Sequence, residues 1–179
     1  MKRLLAITAA LLLAPITTLA ISISELTSNP DQYKQIHEDG DYITYIDSNS
    51  IESLRYSPPY YTMRCTYYMA SYNRDVIYGG TITVDYDYAR SMKTLVGKIA
   101  SEDKRNGITE TTTQIMDKFN AEKFKDDGMR ISLTNTRSWN IAGDFIGDIS
   151  PSYGETHEYG TRIGIVASHL FDQYYNELF

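Results

Sequence analysis

Residues 60–87 read YYTMRCTYYMASYNRDVIYGGTITVDYD, and the period of this stretch decides the fold. In its first run, alternation sets Tyr61, Met63, Cys65, Tyr67 and Met69 on one side and Tyr60, Thr62, Arg64, Thr66 and Tyr68 on the other. A period of two in Tyr- and Thr-rich sequence is the pattern of a half-buried strand, with the first set as its core face. After the turn formers Asn73-Arg74-Asp75, a second run aligns Val76, Tyr78, Gly80, Ile82, Val84 and Tyr86, with Thr81, Thr83, Asp85 and Asp87 opposite. Two such runs across a short turn predict an antiparallel hairpin. Gly79-Gly80 inside the second run predicts a bulge or a close approach of another chain segment.

Upstream, residues 21–33 are largely polar and broken by Asn29-Pro30, which predicts a loop or a single helical turn. Asp39-Gly40 reads as a tight turn between a short strand around Gln35 and a better one over residues 42–46. Asp47-Ser48-Asn49-Ser50 then reads as another turn, followed by a short strand over residues 51–56 that Ser57-Pro58-Pro59 ends. Downstream the period changes to about 3.6. Met92, Leu95, Val96 and Ile99 make the apolar stripe of a helix that stops at Asn106-Gly107. A second helix is expected to start from Thr109 as its cap and run towards Phe124, burying Thr112, Ile115, Met116 and Phe119, with Asp126-Asp127-Gly128 as its end. Ile131 and Leu133, then Trp139, Ile141, Phe145 and Ile146 around Ala142-Gly143, predict a second hairpin. Residues 147–160 carry Gly147, Pro151, Gly154 and Gly160 and read as a long surface loop. Ile163, Val166, Ala167, Leu170 and Tyr174 predict a docked terminal helix. The sum is an α+β domain: a mostly antiparallel sheet with two central helices and a C-terminal helix packed on it.

The first residues carry a different signal. Lys2 and Arg3 precede an apolar run over residues 4–14 that only Thr8 interrupts, and Thr18 and Ala20 place small side chains at the −3 and −1 positions of a cleavage site. This is the pattern of a secretory signal peptide over residues 1–20, with residues 21–179 as one mature domain. The run is shorter than the roughly 20 residues a spanning helix needs, and no later stretch supplies a transmembrane segment. The expected location is outside the inner membrane, in the periplasm or at the cell surface.

With 42% hydrophobic residues in 179, the chain has enough apolar content for a packed core, which excludes disorder throughout. The formal charge of −6 argues against nucleic acid and against a polybasic membrane-surface protein, since both need an excess of Lys and Arg. Loss of Lys2 and Arg3 on cleavage makes the domain more acidic still. A lone cysteine, Cys65, forms no internal disulfide, and its place on the apolar face predicts a buried, unreactive thiol.

Motifs for catalysis are missing: there is no G-x-S-x-G elbow, S-x-x-K, Walker loop or dinucleotide fingerprint. No cofactor is expected. His37, His157 and His169 are scattered, and Glu155, His157 and Glu158 read as a solvated loop rather than a metal site. Asp85 and Asp87 share a strand face and read as a charged edge that discourages aggregation. A hydrolase would need one of them to face His157 or Glu158 across a cleft. The feature that stands out is tyrosine: eleven of sixteen fall within residues 42–88. Tyr joins a large ring to a hydroxyl and suits protein or carbohydrate contact surfaces. Tyr60, Tyr68 and Tyr72 are therefore the candidate binding residues, with no catalytic and no metal-binding residue assigned.

Tyr45-Ile46-Asp47-Ser48-Asn49-Ser50-Ile51 before the Tyr-rich hairpin, and residues 133–139 (LTNTRSW), resemble small exported bacterial proteins related to the surface-adhesin protein E group. The resemblance centres on residues 42–88. It implies contact with host matrix or plasma proteins, while the single Cys65 departs from the disulfide of such domains, and no binding residue carries over. The expectation is an exported, non-enzymatic binding or envelope-associated protein whose partner is a protein or envelope component. The alternatives are a periplasmic hydrolase and a purely structural envelope component.

Overall fold

The computed structural model describes residues 20–150 and 158–179. The expected hairpin is the centre of the molecule. Strand β3 (Tyr60–Ser71) pairs with β4 (Val76–Asp87) in unbroken antiparallel register from Tyr60↔Asp87 to Ser71↔Val76. Around it lie β1 (Tyr33–Asp39), β2 (Tyr42–Ser57), β5 (Met129–Trp139) and β6 (Phe145–Asp148). The six strands form one antiparallel sheet whose spatial order is the chain order. Four α-helices, α1 (Ile23–Ser28), α2 (Met92–Arg105), α3 (Thr112–Lys125) and α4 (Arg162–Tyr175), and one 3-10 turn (Tyr88–Arg90) complete the described chain. The fold is α+β.

One boundary differs from expectation. Residues 47–50 do not separate two strands; β2 is a single strand of 16 residues that bulges there, moving from Asp47 to Glu52 while β3 moves only from Thr66 to Arg64. Side chains keep the ladder closed across the bulge. The Ser50 hydroxyl accepts the Thr66 N–H at 2.7 Å and donates to the Asp47 carbonyl at 2.7 Å, while the Asp47 carboxylate accepts the Asn49 N–H at 3.0 Å. Short polar side chains therefore replace the missing backbone partners without turning the chain back.

The main core lies between the sheet and α4. Met63, Cys65, Tyr67, Ile82, Val84 and Tyr86 face Val166, Ala167, Leu170 and Phe171. Phe171, not part of the expected stripe, takes the central place, with the rings of Tyr61, Tyr86, Tyr88, Tyr175 and Phe179 at 4.7–5.6 Å. Tyr174 is half exposed because it lies on the outer side of α4. The Tyr86 hydroxyl donates to the Ala167 carbonyl at 2.7 Å, which fixes the depth of the helix on the sheet.

The opposite sheet face is covered at one end only. There Leu26 of α1 packs with Tyr45, Ala70, Ile77 and Trp139. Tyr68 belongs to this second core: its ring meets Tyr33 at 5.8 Å and Trp139 at 6.4 Å and lies across Gly79. A Cβ on Gly79 would stand 2.6 Å from the Tyr68 ring, so the glycine is the condition for that ring's position. The register irregularity between Gly79 and Thr81 against β5 is the expected bulge. The rest of this face is polar, with the rows Thr62–Asp85–Arg130, Arg64–Thr83–Ser132 and Thr66–Thr81–Thr134 across β3, β4 and β5.

Helices α2 and α3 bury Leu95, Ile99 and Phe119 against each other. The cap of α3 is Thr111 rather than Thr109, because Gln114 stands three residues on and closes a capping box with it. Thr112 consequently lies outside the stripe and is exposed.

Candidate functional site

Antiparallel pairing carries one row of side chains across five strands: His37, Thr44, Met69, Tyr78 and Ser138. The first turn of α4 passes over this row and leaves a groove of about 330 Å³, whose walls include Tyr42, Met69, Tyr78 and Ile163. Glu158, Thr161 and Arg162 line its other side. The volume is at the lower end of the range for small-ligand sites.

Local chemistry fixes the α4 side. The Thr161 hydroxyl accepts the Gly164 N–H at 3.1 Å and donates to the Glu158 carbonyl at 2.6 Å, capping the helix. Gly164 is required there, since a Cβ would fall 2.0 Å from the Glu158 oxygen. Arg162 grips Asp39 of β1: Nε donates to Oδ1 and Oδ2 at 2.9 and 2.8 Å, and Nη2 to Oδ1 at 2.7 Å. This guanidinium holds the Asp39 carboxyl below its ordinary range and raises the Arg162 pKa in turn. It also lies 4.5 Å from the centre of the Tyr42 ring, with Arg74 at 5.3 Å from the same ring. The pair is solvent-exposed and adds little to stability; its effect is to hold the groove's rim in place.

Two polar atoms beneath this groove are unusual. Thr44 Oγ1 and Ser71 Oγ find no hydrogen-bond partner among the described residues, although Thr44 is 1% exposed and Ser71 is fully buried. Both flank Met69: Thr44 pairs with it across the ladder, and Ser71 follows two positions on along β3, on the same face.

The residues singled out in the sequence do not form one surface. Tyr60 is 48% exposed at the start of β3 with Arg55 over its ring, and Tyr72 is 53% exposed just beyond the strand's end. At ~3.4 Å per residue they stand roughly 40 Å apart along the strand. Tyr68, between them, is held in the second core, where burial raises its pKa. Cys65 is buried as expected, and burial pushes its thiol up to about 12. Asp85 accepts the Thr62 hydroxyl at 2.5 Å on the open face, and Asp87 caps the Ala89 N–H at 3.0 Å. Glu158 lines the groove under α4, on the other side of the sheet from Asp85, so these two do not converge. His157 and Glu155 lie outside the described residues, as do residues 1–19 of the signal-peptide segment. Among the described residues no cluster of His, Cys, Asp and Glu is arranged to hold a metal, and no helix is long and apolar enough to cross a membrane.

The most perturbed cation is one that sequence patterning passes over. Lys123 of α3 is 1% exposed; its Nζ donates to the Arg90 and Asp127 carbonyls at 3.0 and 2.9 Å and lies 4.3 Å from the centre of the Phe179 ring. Desolvation lowers its pKa to about 8, against the Asp127 carboxylate, which favours the charged form. Asp127 itself accepts three backbone N–H groups: Met129 at 3.0 Å, Glu158 at 2.8 Å and Tyr159 at 3.1 Å. This sealed junction joins the end of α3, the start of β5 and the approach to α4. It holds the segment that carries Glu158 and so the groove's outer wall. No family model, curated protein or solved structure matches the chain.

Proposed function

We propose that the chain is an exported, non-enzymatic binding module of the bacterial envelope, adhesin-like in use, which meets its partner through the groove between α4 and the sheet. The observation that carries this reading is the groove's construction: Tyr42, Met69 and Tyr78 are placed by strand register, and the Asp39–Arg162 fork fixes the opposite rim before any ligand arrives. A rim set in advance lowers the ordering cost of binding. Export rests on the basic start, apolar run and small residues of the first twenty positions. The polar open face and the separated Tyr60 and Tyr72 are secondary surfaces in this reading.

Two measurements test it. Fractionation of producing cells, with mass spectrometry of the amino terminus, is expected to find the protein beyond the inner membrane and cut after Ala20; an intact leader on a cytoplasmic protein refutes export. Immobilised protein is expected to retain a partner from envelope extract or plasma, and Tyr78→Ala to lose it with an unchanged melting temperature. Equal retention by Tyr78→Ala refutes the groove as the contact.

A further inference from the structure

We infer that the groove takes one uncharged pyranose ring of a glycan, a proposal that rests on the binding-module reading and names its ligand class. The walls are of three kinds. Tyr78, Met69 and Ile163 supply an apolar, partly aromatic side, against which the C–H face of a sugar ring packs. Thr161, Glu158 and Arg162 supply hydroxyl, carboxylate and guanidinium groups on the α4 side, facing the rim of ring hydroxyls. The guanidinium there is already matched, since Asp39 holds Arg162 through three N–H···O contacts, so an anionic ligand has to displace a formed pair while a polyol does not.

The independent observation is the pair of orphan hydroxyls. A buried hydroxyl without a partner costs about 1–3 kcal/mol. Thr44 Oγ1 and Ser71 Oγ both carry that cost on the sheet face beneath the groove, one on each side of Met69. Met69, a wall of the groove, stands between them with a flexible, unbranched side chain, and binding of the ring requires it to move aside so that the ligand reaches the hydroxyls. A sugar's hydroxyls both donate and accept, so one ring satisfies both orphans whichever way they point. A ligand with only apolar atoms leaves them as they are.

The test is a glycan array followed by NMR titration of the isotope-labelled protein with free N-acetylglucosamine, galactose and mannose. Saturable shifts are expected at the Met69 methyl and at the Tyr78, Thr161 and Ile163 amides, with millimolar dissociation constants. Tyr78→Ala is expected to weaken binding about tenfold, the usual loss for one ring contact. Thr44→Val is expected to weaken binding several-fold while raising the melting temperature of the free protein, a combination that a purely structural hydroxyl does not produce. Array hits confined to host-type glycans or to envelope polysaccharide identify the source of the same ring chemistry. Shifts in the groove from arginine ethyl ester or acetate, with none from sugars, overturn the sugar assignment and leave the binding module standing. Absence of groove shifts with every probe, together with partner retention that ignores Tyr78→Ala, overturns both.

Discussion

Asp127→Ala tests the junction that positions the groove's outer wall. The carboxylate receives the N–H groups of Met129, Glu158 and Tyr159 at 3.0, 2.8 and 3.1 Å. A buried N–H stripped of its acceptor costs about 1–3 kcal/mol. Met129 is buried and bears the full loss, about 2 kcal/mol, whereas Glu158 and Tyr159 are half-buried and regain water in part, about 1 kcal/mol each. The sum, about 4 kcal/mol, corresponds to a fall of roughly 8–16 °C in melting temperature for a chain of this size. Asp127→Asn keeps one oxygen and should lose about half as much. Asp126→Ala is the milder comparison: its carboxylate accepts one N–H, that of half-buried Gly128 at 3.0 Å, and its side chain is 67% exposed with Arg90 bound chiefly to the backbone carbonyl, so the cost should be about 1 kcal/mol. Circular dichroism melts give the stability, and hydrogen exchange at the Glu158 and Tyr159 amides reports the junction directly. A fall of less than about 3 °C in Asp127→Ala, or unchanged protection of those amides, refutes the reasoning.

Other predictions follow from burial. Alkaline stability should show two opposed effects. Lys123 is lowered to about 8 in the folded chain against ~10.4 unfolded, so its charge opposes folding below about 8 and stability rises between those values. Tyr33 is raised to about 12, and Tyr68 and Tyr86 are raised too, all chiefly by burial; their contribution is intact below ~10 and is lost as pH climbs above it. Urea unfolding across this range should rise and then fall, with the rise missing in Lys123→Met; a monotonic fall in the wild type contradicts the Lys123 assignment. Cys65 should label with a thiol reagent only after denaturation, and native labelling at the denatured rate would show that the β3 face opens. Gly79→Ala should cost about 1–3 kcal/mol, because its Cβ meets the Tyr68 ring at 2.6 Å; paired with Tyr68→Ala the cost should shrink to what the Trp139 ring at 3.1 Å still imposes, and additive losses would disprove the Tyr68 contact.

How much of this could be read in advance depended on how far apart the interacting residues stand in the sequence. Strands β3 and β4 and helix α2 were legible because alternation and the 3.6-residue stripe are local properties of consecutive residues. The Asp47–Ser50 segment was misleading for a physical reason: Ser, Asn and Asp make the same short hydrogen bonds in a turn and in a bulge, and only the pairing of Ser50 with Thr66 distinguishes the two. Phe171 was missed because its value comes largely from four rings outside α4, those of Tyr61, Tyr86, Tyr88 and Phe179. The groove was not legible at all. Its floor is a row drawn from separate strands, and its rim depends on a fork between Asp39 and Arg162, far apart in the chain. The sixteen tyrosines hinted at a contact surface, but strand direction separated Tyr60 from Tyr72 and packing enclosed Tyr68.

The order of the strands has a consequence for timing. Since each strand pairs with the one made just before it, the whole sheet can assemble progressively behind the ribosome or behind a translocation pore, with no strand waiting for a distant partner. The helix that seals its main apolar face is made after all six. Until residues 162–175 emerge, Met63, Ile82 and Val84 have no lid, and a growing chain at this stage is a natural client for chaperones that shield bare sheet. Emergence of α4, rather than formation of the sheet, is therefore the step that commits the molecule to its folded state.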